Sequence, residues 1–197
     1  MKPYGKKQWR AIMPNKNWNS PNTRSYQNNG VCMKTLSKYV CILSFLLLAV
    51  AGHAQSVPVW KLKDLQAAIH QSKEPTIINF WATFCKPCIA ELPHFQALAN
   101  QYRAQGIKLV MVSLDLKEAY PAKVASFAKK LKLSSPVVYL DESNADLFCP
   151  AVDSAWSGAI PASLFVNNAT GYRKFYEEEL SKEKLEAEIK AMLKPKE

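Results

Sequence analysis

Four residues, Cys85-Lys86-Pro87-Cys88, constrain this chain more than any other feature, because of what flanks them. Three residues separate them from Thr76-Ile77-Ile78-Asn79-Phe80-Trp81, a β-branched and aromatic run after Pro75 that reads as a buried strand. From Cys85 onward the apolar period becomes helical, with Cys88, Leu92, Phe95, Ala99 and Tyr102 on one face. A cysteine pair between a buried strand and an amphipathic helix puts Cys85 at the helix N-terminus. Free backbone N–H groups and the helix dipole stabilise a thiolate there, and Lys86 adds positive charge. Such surroundings lower a thiol pKa from about 8.5 to between about 3.5 and 7.5. Cys88, one turn on, is placed to attack a mixed disulfide formed at Cys85, and Pro87 stiffens the turn. Two other readings exist for the four letters, an inert disulfide or half of a zinc site. Zinc needs two further ligands, and Cys149, His70 and His94 offer no second pair at ligand spacing.

The rest of the chain alternates. Helix is expected over Leu62–Gln71, strand over Ile107–Leu114, helix from Pro121 to about Leu131, and strand over Val137–Leu140. Asp141–Ser157 reads as loop with at most one helical turn. Ala162–Asn167 and Tyr172–Glu177 read as a hairpin around Asn168-Ala169-Thr170-Gly171. Ser181 caps a last helix with a Leu185, Ile189, Met192, Leu193 stripe. Pro93 should kink the long helix and Gly106 should end it. Strands separated by helices imply a parallel sheet by crossover, with the hairpin adding an antiparallel edge. The class is therefore α/β, a central mixed sheet flanked by helices.

The formal charge of +10 would suggest a nucleic-acid or membrane partner, but its location removes the inference. Residues 1–54 hold eight Lys or Arg and no Asp or Glu, which leaves the following 143 residues at a net +2. Nothing electrostatic in that body calls for nucleic acid. Its 143 residues suffice for one domain burying roughly two-thirds of its unfolded surface. Met33 to Ala54 reads as a secretory signal. Lys34 and Lys38 precede the apolar run Tyr39–Ala51, and Gly52-His53-Ala54 supplies small residues for cleavage. That run is 13 residues, short of the about 20 a spanning helix needs. The expectation is thus a cleaved signal over 33–54 and a domain over 55–197, with an uncleaved membrane anchor as the alternative. Residues 1–32 are expected to be a gene-model extension or a disordered tail. Removing the signal leaves Cys85, Cys88 and Cys149, in a compartment where disulfides persist. Three cysteines make no disulfide scaffold, so the core must hold the fold, and Cys149 is expected to be a buried free thiol.

Asn79-Phe80-Trp81-Ala82-Thr83-Phe84-Cys85-Lys86-Pro87-Cys88-Ile89-Ala90-Glu91-Leu92-Pro93 resembles the active-site stretch of thioredoxin-like proteins, in particular the exported TlpA/ResA-like branch. Phe84 stands where that branch usually has Trp, and Asn79 where cytosolic thioredoxins carry a buried Asp. The resemblance covers roughly Val57 to Leu193. It implies a thioredoxin fold with a strand–helix insertion after the active-site helix, a region that residues 107–133 fit. It also implies a redox-active Cys85–Cys88 disulfide exchanging with client proteins outside the cytoplasm, as a reductant fed by a membrane or periplasmic electron donor. No cofactor and no metal are implied. Glu91, three residues past Cys88, matches a family Glu that tunes the thiols, and a carboxylate in a half-buried site can act as acid or base. The alternative is a solvated helix Glu. Asn79 cannot take a proton and reads as a structural amide. Ile160-Pro161 matches the family's cis-proline pair, which faces the cysteines and leaves backbone groups free for an extended substrate. Trp81, Lys86, Pro87, Ile160, Pro161 and Trp156 are the expected substrate contacts. Trp81 could equally be core, and Trp156 is either an exposed contact or a loop anchor. His94 reads as a surface residue. A thiol-dependent peroxidase is the alternative enzyme class, but its Pro-x-x-x-Thr-x-x-Cys pattern meets Ile78 and Ala82 here. A non-catalytic interaction module is the other alternative, and the intact Cys85, Cys88 and Pro161 argue against it.

Overall fold

The computed structural model describes residues 57–195, so the segments 1–32 and 33–54 lie outside the described residues. Six strands form one sheet in the order β1-β4-β3-β2-β5-β6. They are β1 Val59–Trp60, β2 Thr76–Trp81, β3 Lys108–Ser113, β4 Val137–Leu140, β5 Ala162–Asn167 and β6 Tyr172–Tyr176. The first four in that order pair in parallel. β5 and β6 add the antiparallel edge. Five helices cover the faces: α1 Leu62–His70, α2 Lys86–Gln101, α3 Ala122–Lys130, α4 Ala145–Val152 and α5 Lys182–Met192. The strand and helix that follow α2, β3 and α3, occupy the expected insertion region.

β2 is central, and every one of its six residues is buried. That explains its reading as a nearly continuous apolar run without polar alternation. Its side chains alternate between two cores. Ile77 and Trp81 face a cluster with Cys88, Leu92, Phe95, Leu185 and Ile189, under α2 and α5. Ile78 and Phe80 face a cluster with Leu65, Ile69, Phe148, Val152 and Trp156, under α1 and α4. Asn79, the polar residue in the middle of β2, belongs to the register that points toward α2.

α2 starts at its Cys85 cap with Pro87 in the first turn. It runs on through Pro93, whose missing N–H leaves the Ile89 carbonyl without its helical donor. A short 3₁₀ turn, Arg103–Gln105, follows, and Gly106 stops the chain at φ 84°, a left-handed conformation that a side chain would strain. α5 is capped as expected, the Ser181 hydroxyl accepting from the Lys184 N–H.

Two elements differ from the sequence reading. The stretch taken as loop holds α4, two turns long, because Asn144 caps it by accepting from the Asp146 N–H at 3.0 Å. Phe148, Cys149 and Val152 then bury one face despite Pro150 inside the helix. β1 is a two-residue strand whose partner β4 supplies its definition, with Val59 opposite Tyr139 and Trp60 opposite Leu140.

Candidate active site

The site forms where β2 ends and α2 begins. The Ala82 carbonyl accepts from the Cys85 N–H at 3.1 Å, closing the turn that leads into the helix. Asp115, just past β3, fixes the same turn from the side. Its two carboxylate oxygens accept the Thr83 N–H at 3.1 and 3.0 Å. The Thr83 hydroxyl also donates to it, and the Ser113 hydroxyl does so at 2.8 Å. Asp115 is only 5% exposed, so these bonds replace the water it has lost. Sequence reasoning did not single out Asp115; it lies 32 residues from Thr83, and only parallel pairing of β2 with β3 brings the two together.

Cys85 and Cys88 are joined in a disulfide, S–S 2.01 Å, with Cα atoms 5.3 Å apart. Cys85 is 8% exposed and Cys88 fully buried. Cys85 is the helix cap, its Sγ accepting from the Cys88 N–H at 3.3 Å. After reduction the same N–H would point at a thiolate, as the dipole argument requires. Ile160-Pro161 is a cis peptide, and the Ile160 carbonyl oxygen lies 3.8 Å from Cys85 Sγ. The disulfide has no S–H to donate, so in this oxidised state that is a contact and not a hydrogen bond. A cavity of about 730 Å³ opens at Phe84, next to Cys85 in the chain, and Ile160, with Leu116, Tyr139, Phe148 and Ala159 among its other walls. Phe84 and Leu116 are exposed there, at 63% and 71%.

Glu91 is not a solvated helix residue. It is 1% exposed and accepts the Asn79 side-chain N–H at 2.8 Å and the Leu180 backbone N–H at 2.9 Å. Burial pushes its carboxyl up to about 7, against the opposing effect of the two hydrogen bonds; the nearby Glu179 charge adds to the rise. Asn79 also donates to the Ser163 hydroxyl at 3.1 Å, so it ties Glu91 to β2 and β5. The Asn79 amide oxygen and the Trp81 indole N–H have no hydrogen-bond partner among the described residues.

The other expected contacts separate. Lys86 and Pro87 are exposed at the helix start, and Ile160 lines the cavity. Trp81 is fully buried in the core. Trp156 is not an exposed substrate contact but the loop anchor of the alternative reading, and it is 5% exposed. It packs on Phe80, Phe148 and Phe175, ring centroids 4.6, 5.5 and 5.8 Å away. Its indole N–H donates to the Ala159 carbonyl at 2.8 Å, so it braces the loop before Pro161 from beneath. Cys149 is a buried free thiol, and burial pushes it up. His94 is exposed. Among the described residues, no three His, Cys, Asp or Glu side chains come together as a metal site, and no helix is long and apolar enough to cross a membrane.

A cysteine pair opening a helix beneath a cis-proline loop, on this mixed sheet, defines a thioredoxin-fold protein of the CxxC type. Residues 54–170 match the AhpC/TSA family, and the chain belongs to it. The chain is 30% identical over 119 residues to a thiol-disulfide oxidoreductase ResA of Oceanobacillus iheyensis, covering 56% of this chain and 57% of that protein. It is 32% identical over 115 residues to the sporulation thiol-disulfide oxidoreductase A of Bacillus subtilis, covering 53% and 69%. The crystal structure of a thioredoxin-related protein from Neisseria meningitidis serogroup B superposes with a TM-score of 0.50 at 26% identity, over 61% of this chain and 86% of that one.

Proposed function

We propose that this protein is an exported thiol–disulfide oxidoreductase that acts on client proteins through Cys85 and Cys88, in the reducing direction. The observation that carries the reading is Cys85 as the cap of α2, bonded to Cys88 and facing the Ile160 carbonyl. The names of the relatives support it, and the signal-like residues 33–54 support export to a periplasmic or equivalent compartment.

In the forward reaction the reduced Cys85 thiolate attacks one sulfur of a client disulfide. One client cysteine leaves as a thiolate, and the other is held in a mixed disulfide with Cys85. Cys88 then loses its proton and attacks Cys85 Sγ. The client leaves with both cysteines reduced, and the Cys85–Cys88 disulfide forms. Two electrons pass from the protein to the client, and a reductant in the envelope restores the dithiol. Glu91, buried three residues past Cys88 and ionising at about 7, is the group we assign to receive the Cys88 proton. Lys86, Pro87, Ile160 and Pro161 form the client-facing rim, and Trp81 backs it from the core.

The test is the Cys88→Ser variant. It keeps the attacking thiol and lacks the resolving one, so clients from an envelope extract should accumulate as reducible covalent adducts on Cys85. An extract in which a proven oxidoreductase trap yields adducts and this variant yields none would overturn the reading.

A further inference from the structure

The loop Ser157-Gly158-Ala159-Ile160, which brings the Ile160 carbonyl to Cys85, is held by a side chain outside the exchange chemistry. Glu177 follows the last residue of β6. Its carboxylate accepts the Ser157 N–H at 3.2 Å, the Ala159 N–H at 2.9 Å and the Ser157 hydroxyl. These donors hold the Glu177 carboxyl below the usual carboxylate range, the Ser157 hydroxyl contributing most.

The placement follows from the strand ladder. In the β5–β6 hairpin, Tyr176 pairs with Ser163 as the last rung. The next positions on the partner side are Ala162 and Pro161, and Pro161 has no N–H to continue the ladder. The backbone pairing stops there, and the Glu177 side chain takes over, accepting from the loop that precedes the proline. The loop needs such a hold. Gly158 sits at φ 96°, and glycine allows many other conformations. With Trp156 bonded to the Ala159 carbonyl and Glu177 to its N–H, both backbone groups of Ala159 are occupied. Ile160, next in line, makes no backbone–backbone hydrogen bond among the described residues. Its backbone is therefore presented beside Cys85 by a loop pinned at the residue before it.

We propose that Glu177 is a positioning residue for client docking: it fixes the 157–160 loop so that an extended, cysteine-containing client segment pairs with the Ile160 backbone while its sulfur meets Cys85. This rests on the exchange reading above. The effect is one of preorganisation. Without the clamp, the ordering of the loop falls on the binding step. A small disulfide that reaches Cys85 without pairing to the loop does not depend on it.

The experiment compares two oxidants of the reduced protein. One is a short extended cysteine peptide carried as its mixed disulfide with thionitrobenzoate. The other is the symmetrical thionitrobenzoate disulfide. In both, Cys85 displaces a coloured thionitrobenzoate and Cys88 completes the protein disulfide, so the same absorbance reports each. E177A is expected to lower the peptide rate about tenfold at sub-saturating peptide, the scale of one lost charge-assisted hydrogen bond, chiefly through a raised half-saturating concentration. The symmetrical disulfide should react within about twofold of wild type, since its rate follows the thiolate alone. E177Q keeps an acceptor oxygen and should recover much of the loss. Amide hydrogen exchange at Ala159 should accelerate in E177A and stay slow in wild type. If E177A does not fold, E177Q and S157A, each removing part of the clamp, carry the same comparison with smaller expected losses. A peptide rate equal to wild type, or peptide and symmetrical rates falling by the same factor, overturns the assignment. A wild-type protein inert to both disulfides instead overturns the exchange reading, and the two failures are thereby distinguished.

Discussion

Replacing Glu91 by Gln tests the buried carboxyl directly. Burial raises it from its ordinary 4.5 to about 7. The folded state therefore holds the Glu91 proton through a pH range where the unfolded chain has released it. The sign follows from linkage. Stability associated with this group is fully present below the unfolded value and is lost as pH rises through the folded one. At 1.36 kcal/mol per pH unit, the interval from 4.5 to about 7 amounts to about 3 kcal/mol once the titration is complete. About 2.5 kcal/mol of this develops between pH 5 and 8, because the unfolded carboxyl is already partly ionised at pH 5.

The assay is denaturant unfolding of the oxidised protein at pH 5, 6, 7 and 8, wild type beside E91Q. Oxidation removes both site thiols from the titration, and subtracting the two profiles cancels every group they share. E91Q should start close to wild type at pH 5, where Glu91 is itself protonated: the Gln oxygen still accepts the Leu180 N–H, and its N–H can donate to a turned Asn79 amide as the carboxyl O–H does. The variant should then gain on wild type by about 2.5 kcal/mol as pH rises to 8, because only wild type must ionise a buried group. A difference that stays flat within about 0.5 kcal/mol, the scale of surface substitutions, would refute the buried, raised carboxyl and the proton role built on it.

Limiting iodoacetamide on the reduced protein should label Cys85 first and at the lowest pH, since it caps α2 and is the more exposed site thiol. Cys149, buried and pushed up, should label last, and mass mapping that finds Cys88 or Cys149 ahead of Cys85 reverses the roles. Trp156→Ala should destabilise by about 3–5 kcal/mol, the range for a buried aromatic packed on three others. A loss under about 1 kcal/mol in a denaturant melt would restore Trp156 to the surface.

What was legible in the sequence was local. β2 and α2 could be drawn from residue type alone, because a strand buried on both faces has no polar alternation and a helix over a core keeps its stripe. The cysteine pair was legible from its place between strand and helix, and Pro161 only through the family resemblance. What escaped depended on contacts between distant segments. Asp115 and Glu177 are ordinary acidic residues until the sheet brings Thr83 to one and the 157–159 loop to the other. Trp156, in a polar stretch shortly before a proline, reads as a surface tryptophan, yet Phe80, Phe148 and Phe175 reach it from three different elements. α4 was hidden by Pro150 and by the acidic residues before it, although the Asn144 cap was there to be read. The full burial of Glu91 has the same origin. Three residues past Cys88 names its turn of the helix, but only the packing of β2 beneath and Leu180 alongside decides that the turn is dry.

Asn79 carried a signal that the sequence reading used only in part. A polar side chain in a strand buried on both sides needs a buried partner, and its register toward α2 leaves Glu91 to be that partner. The choice of an amide matters for what Glu91 can do. Asn79 donates from Nδ2 to Glu91 Oε1 and to the Ser163 hydroxyl, which suits a charged Glu91. A protonated Glu91 has instead an O–H to place. Turning the Asn79 amide over presents its oxygen, which can accept from both Glu91 and Ser163, and a hydroxyl can reverse its role at no geometric cost. Each orientation leaves the far side of the amide without a partner, as the oxygen is now, so neither is favoured by that count. An aspartate at the same place would face Glu91 as a second carboxylate, and like charges so close cannot both ionise. With asparagine there, Glu91 is the group of the pair that titrates, and one neighbour can serve both of its protonation states, as the proposed transfer from Cys88 requires.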